Sequence, residues 1–167
     1  YSTAPGKKLL CGSHLETQNH AGWLDGALGV IYALETARCI KEAPGPTFGI
    51  DVMAFADEEG HFGELTGSNS LIGNLTDEMM DNSLNRTDGT PFRKALEDAG
   101  LAGVPRALLD ANRYIGMFEA HIEQGLILEQ NAKSIGVIDT IAGSKQFKVI
   151  AKGQQNHAGT TPMAVSY

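Results

Sequence analysis

The chain has 167 residues, 42% of them hydrophobic and 20% charged, which is the balance of a globular domain with a core of its own. A net charge of -7 excludes nucleic acid as a partner, since binding phosphates takes a basic face, and no apolar stretch approaches the roughly 20 residues of a membrane span. Cys11 and Cys39 are too few for a disulfide framework; both lie in apolar-periodic segments and are expected as buried, reduced thiols of a cytoplasmic protein.

Lys7 to Leu15 is a short apolar run ending in small polar residues, which predicts a buried strand reaching a loop. Asp25 to Ala43 carries Leu28, Ile31, Leu34 and Ile40 near helical spacing and stops before Pro44-Gly45-Pro46. Thr47 to Asp57 is β-rich and mostly apolar, as in a strand covered on both faces. Strand, helix and strand in that order predict a right-handed βαβ unit, hence an α/β fold with a mostly parallel sheet flanked by helices. Leu75 to Gly89 is polar and irregular. Thr90 to Gly100 predicts a short helix with Thr90 as N-cap and Pro91 at its first position.

Asn112 to Gly125 returns to strand character, and Leu126 to Lys133 predicts a helical turn or two. Ser134 to Gln154 reads as two β segments broken at Ala142-Gly143-Ser144, where a domain boundary is expected. Residues 1–142 are thus read as one domain and 143–167 as part of a second one. Met53, Phe55 and Met117 are expected in the core.

The predicted strands end in residues that metals bind. His14 follows the first, Asp57, Glu58 and Glu59 the second, and His121 the third, while Asp25 opens the first helix. In parallel α/β sheets ligands gather beyond the carboxyl ends of the strands. Two imidazoles with several carboxylates suit zinc or another borderline divalent ion. A cation would also offset the repulsion between adjacent Glu58 and Glu59, which otherwise simply face water. Against this stands the ordinary case, in which a single His is structural and a Glu-Glu pair is solvated.

The segments GSHLETQNHAGWLDGALGV (residues 12–30), FADEEGHFGELTGS (55–68), EAHIEQG (119–125) and NHAGTTPM (156–163) together resemble the dinuclear-metal amidohydrolases. These are the N-carbamoyl-L-amino-acid hydrolases, β-ureidopropionases and allantoate amidohydrolases, in the clan of the aminoacylases and carboxypeptidases. The resemblance implies a zinc-peptidase-like catalytic domain followed by a smaller α+β lid or dimerisation domain. It implies two divalent ions, zinc first, with manganese, cobalt or nickel as alternatives. His14 and His121 would hold one ion, Asp25 would bridge, and Glu59 would hold the second. Glu58 would be the general base, Gln124 a substrate-binding side chain, and His157 the oxyanion donor, reaching its site across a dimer interface. The substrate implied is a small N-carbamoyl or ureido acid, cleaved at a linear amide C–N bond by a homodimer. A non-catalytic metal-binding or assembly module remains an alternative, as does an aminoacylase or dipeptidase of the same clan.

Departures from the pattern carry expectations too. Glu16 stands where the family places the Asp that orients the first metal-binding imidazole, which is expected to alter metal binding. His20 is expected as an exposed loop residue and His61 as loop or rim. The family's further metal-binding His and its carboxylate-binding Arg lie beyond the HAGTTPM motif. The chain is accordingly expected to be a fragment, inactive alone.

Overall fold

The computed structural model describes residues 6–45, 48–145, 147–150 and 152–165. Strand β1 (Lys8–His14) leads through helix α1 (Ala27–Glu42) to strand β2 (Gly49–Phe55). Helices α2 (Thr66–Leu71), α3 (Asp77–Asn82) and α4 (Phe92–Asp98) follow, then strand β3 (Tyr114–Phe118) and a single turn, α5 (Ile127–Gln130). The three strands form one parallel sheet in the order β2-β1-β3, as the strand–helix–strand pattern predicts. Of the second predicted strand, Thr47 lies outside the described residues.

Register does the positioning. Lys8 pairs with Gly49 and His14 with Phe55, so β1 and β2 finish side by side, while Cys11 of β1 pairs with Phe118 of β3. The loops carrying Glu16, Asp57 to Glu59 and Glu119 to His121 therefore leave the same edge of the sheet.

Helix α1 seals this arrangement by burying Gly29, Val30 and Ala33. Ala33 packs with Cys11 and Ile50, and Leu9, Ala37, Ile40 and Val52 close around them. Two glycines set how near the helix comes. A Cβ on Gly29 would stand 2.7 Å from the Ser13 Cβ, and one on Gly26 would collide with the His14 ring. Gly26 also holds φ +72, a left-handed conformation that side chains rarely adopt. At the opposite edge of the sheet Asp51 accepts from Lys8 Nζ (2.8 Å) and from the Tyr114 hydroxyl (3.0 Å).

Several expectations are corrected. Cys11 is buried, and that burial pushes its thiol up against the lowering effect of a Phe118 backbone contact; Cys39, however, is exposed, because it sits on the outer side of α1 between Arg38 and Glu35. Met53 and Phe55 are only half-buried and Met117 is exposed on the edge strand β3. Pro91, rather than Thr90, occupies the N-cap position of α4, with no side-chain cap. Within the polar stretch read as irregular, α3 forms because the Thr76 hydroxyl accepts from the Met79 amide and Asp77 and Glu78 fall in the first turn.

The chain divides into two compact units, Tyr1–Gln124 and Gly125–Tyr167. The second unit contains α5 and a 3-10 turn at Met163–Val165, and the Ala142-Gly143-Ser144 break lies inside it. The two β segments expected between Ser134 and Gln154 are not strands among the described residues; Gln146 and Ala151 lie outside these. A strand exists only through ladder bonds to a neighbour, and here Val137 (92% exposed) and Ile141 (88%) face solvent instead. No helix among the described residues is long and apolar enough to cross a membrane.

Candidate functional site

His14 ends β1 with its side chain buried. Its Nδ1–H donates to the Glu16 carbonyl at 2.8 Å, which leaves the Nε2 lone pair facing inward. His121 is arranged alike, with Nδ1–H donating to the Ile122 carbonyl at 2.6 Å. Between the two rings lies buried Asp25, its Oδ1 at 2.9 Å from His121 Nε2 and 3.5 Å from His14 Nε2. This oxygen is buried and has no hydrogen-bond partner. Three lone-pair groups facing one another around a buried oxygen call for a shared cation or proton.

Glu58 completes the group, its Oε2 at 3.6 Å from His14 Nε2. Burial opposes a charge on His14, but the Glu16 carbonyl and the negative charges of Glu58, Glu16 and Asp25 outweigh it and raise the imidazole above its ordinary value. Burial also raises Glu58; His14 draws it down, while like charges on Glu59, Glu16 and Asp25 push it up again. The side chains line an open cleft of about 370 Å³ that includes His14, Asp25, Glu58, Glu59, His121 and Gln124.

Two sets of ligand atoms lie within 4.8 Å of one another: His14, Asp25 and His121, and separately His14, Glu58 and Glu59. Asp25 and Glu59 do not share one such set among the described residues. Nitrogen and carboxylate donors around an orphaned buried oxygen suit a borderline divalent ion, so the residues fit a metal.

The surrounding hydrogen bonds explain how the loops hold still. Asp57, grouped in the sequence with the metal-binding carboxylates, is a turn organiser instead. It sits at φ +58, and its carboxylate accepts from the His61, Phe62 and Gly63 amides and the Thr66 hydroxyl. Glu16 does not orient His14 through its carboxylate. The backbone carbonyl does that, while the longer side chain reaches over to accept from the amides of Glu58 and Glu59. Gln124 donates its amide to Asp25 Oδ2 from a left-handed backbone at φ +55. His61 lies at the rim with Nε2 3.2 Å from the Thr17 carbonyl, and His20 is exposed in its loop.

His157 belongs to the second unit and is described within it. The amides of Gly159 (3.1 Å) and Thr160 (3.2 Å) donate to its Nδ1, which leaves the ring proton on Nε2.

A sequence model of peptidase family M28 matches residues 2–95, more than half of the chain. The chain belongs to peptidase family M28. Among curated relatives, it is 36% identical over 163 residues to allantoate amidohydrolase of Escherichia coli K12, covering 95% of this chain and 39% of that protein. It is 37% identical to N-carbamoyl-L-amino-acid amidohydrolase of Paenarthrobacter aurescens, again over 163 residues, with 93% and 39% covered. The crystal structure of a hydantoinase/carbamoylase family amidase from Burkholderia phymatum superposes with a TM-score of 0.80 at 44% identity, covering 99% of this chain and 41% of that one. These relatives bear the names that the four motifs imply. The chain spans about two fifths of the length of the relatives it matches.

Sequence reasoning missed Gln18, whose Nε2 donates to the Glu59 carboxylate and, at 3.3 Å, to the Glu59 carbonyl. It missed Glu119 as well, whose carboxylate takes the hydroxyl of fully buried Ser13 at 2.5 Å. A polar residue in a loop has no periodicity to mark it, and these contacts span 41 and 106 positions.

Proposed function

We propose that the protein to which this chain belongs hydrolyses linear amide C–N bonds in N-carbamoyl or ureido acids with the help of two divalent ions, zinc first. One observation carries the reading. Asp25 Oδ1 is buried without a hydrogen-bond partner between two imidazole nitrogens, at the floor of an open cleft that also holds Glu58. The names of the relatives, allantoate amidohydrolase and N-carbamoyl-L-amino-acid amidohydrolase, support the substrate class.

His14, Asp25 and His121 would hold one ion, and Glu59, which lies in a separate set with His14 and Glu58, would serve the second. When bound, such ions acidify a water and polarise the substrate carbonyl. The remaining work belongs to the chain. Glu58 Oε2, partly exposed to the cleft, accepts a proton from the attacking water and delivers it to the departing nitrogen. Gln124 contacts the substrate. His157, with its proton on Nε2, donates to the oxyanion across the interface of a cytoplasmic homodimer.

The test uses the full-length protein, stripped with a chelator and reloaded with zinc. N-carbamoyl amino acids and allantoate are offered, and ammonia and amino-acid release are followed. Glu58→Gln is expected to lower kcat by about 10²–10⁴ while the zinc content stays that of the native protein. Turnover unaffected by chelation, or by Glu58→Gln, would overturn the proposal.

A further inference from the structure

We infer that Gln18, clamped by Arg86, is a positioning residue that fixes how the Glu59 carboxylate is presented to the cleft; the inference rests on the metal-centre reading above. The Gln18 amide is used at both ends. Its Nε2 donates to Glu59 Oε2 and to the Glu59 carbonyl, and its Oε1 accepts from Arg86 Nη2 at 2.6 Å. A guanidinium can only donate, so Arg86 forces the oxygen of the amide outward and its NH2 toward Glu59. The contact also polarises the amide and strengthens the donor that Glu59 meets.

Arg86 is held in turn. Its backbone amide donates to the His61 carbonyl at 2.8 Å. Its turn is closed by Asn85, whose Oδ1 accepts from the Thr87 amide at 2.8 Å and whose backbone pairs with Thr90 and Gly89. Asn19 Nδ2 adds a second tie to the same turn by donating to Thr87 Oγ1 at 3.1 Å. Two loops far apart in sequence therefore clasp beside the cleft, and the product of the clasp is one oriented carboxylate. Glu16 fixes the backbone of Glu58 and Glu59, and Gln18 fixes the side chain of Glu59.

Hydrogen-bonded supports of metal-binding carboxylates are worth roughly 10–100-fold in metal affinity. The measurement is zinc titration of the full-length apoprotein, native and variant, by calorimetry with a competing chelator. Gln18→Ala is expected to weaken one of two zinc-binding events by about 10–100-fold, leaving the other event and the thermal midpoint of the apoprotein unchanged. Arg86→Ala, an exposed residue, is expected to weaken the same event less, and to add nothing once Gln18 is Ala. Equal zinc affinity in native protein and Gln18→Ala, or additive losses in the double variant, would overturn the role of Gln18. Native protein that binds no zinc would overturn the metal reading along with it.

Discussion

Residues 8–14 and 134–150 are both rich in apolar side chains, yet they end in opposite environments. Leu10 is 4% exposed, with a strand on either side, whereas Ile135 is 83% exposed and has no ladder among the described residues. The difference does not lie in the local pattern. Strand β1 is central, and its register with β2 and its cover by α1 convert an apolar run into a strand. The same logic separates the site from the rest of the surface. Where three strand ends and the start of a helix meet, imidazoles and carboxylates face one another around the buried Asp25 carboxylate.

The largest expected effect on stability comes from the centre of the packed region. Ile50 is fully buried against Cys11 and Ala33. Ile50→Ala removes that contact and leaves a cavity, at an expected cost of about 2–5 kcal/mol, read as a lowered denaturant midpoint in the full-length protein. A loss below about 1 kcal/mol would mean that this core is no tighter than the exposed segment, and the contrast would fail.

A smaller effect tests the far edge of the sheet. Burial alone would raise the Asp51 carboxyl, but Lys8 and the Tyr114 hydroxyl overcome it and hold the group at about 2, below its ordinary 3.8. A carboxyl depressed in the folded state stabilises the protein above its unfolded value. The contribution is therefore complete at neutral pH and fades as the pH falls from about 4 to about 2. Asp51→Asn should flatten the acid limb of the stability curve over that window. An unchanged curve would show that the Lys8–Asp51 pair does not bind the sheet edge.

These elements were not equally legible. β1, α1 and β2 were readable because burial imposes an apolar run or a helical stripe on the sequence, and their order dictates a parallel pairing. The residues that meet at Asp25 were readable because strand ends are where such folds gather ligands. The turn-holding role of Asp57 was not legible, since a carboxylate that binds a metal and one that caps a turn look alike in sequence; the glycines at 60 and 63 were the available hint. α3 hid behind its polarity, although Thr76 followed by Asp77 and Glu78 is a helix-start signal. The Gln18–Glu59 and Gln18–Arg86 contacts left no trace, because nothing local relates loops 41 and 68 positions apart.

The smallest expected effect is the most informative about the exposed segment. Val137 is 92% exposed, so Val137→Ser removes no packed contact and should change stability by less than about 0.5 kcal/mol. The apolar run around it, with Ile135, Ile138 and Ile141, nonetheless has the composition of a strand, and such a run normally acquires a partner. Measured in the full-length protein, a loss above about 1 kcal/mol would mean that Val137 is buried there by backbone that pairs with it. The segment would then differ from β1 only in where its neighbour comes from, and the contrast drawn above would become one of supply rather than of sequence.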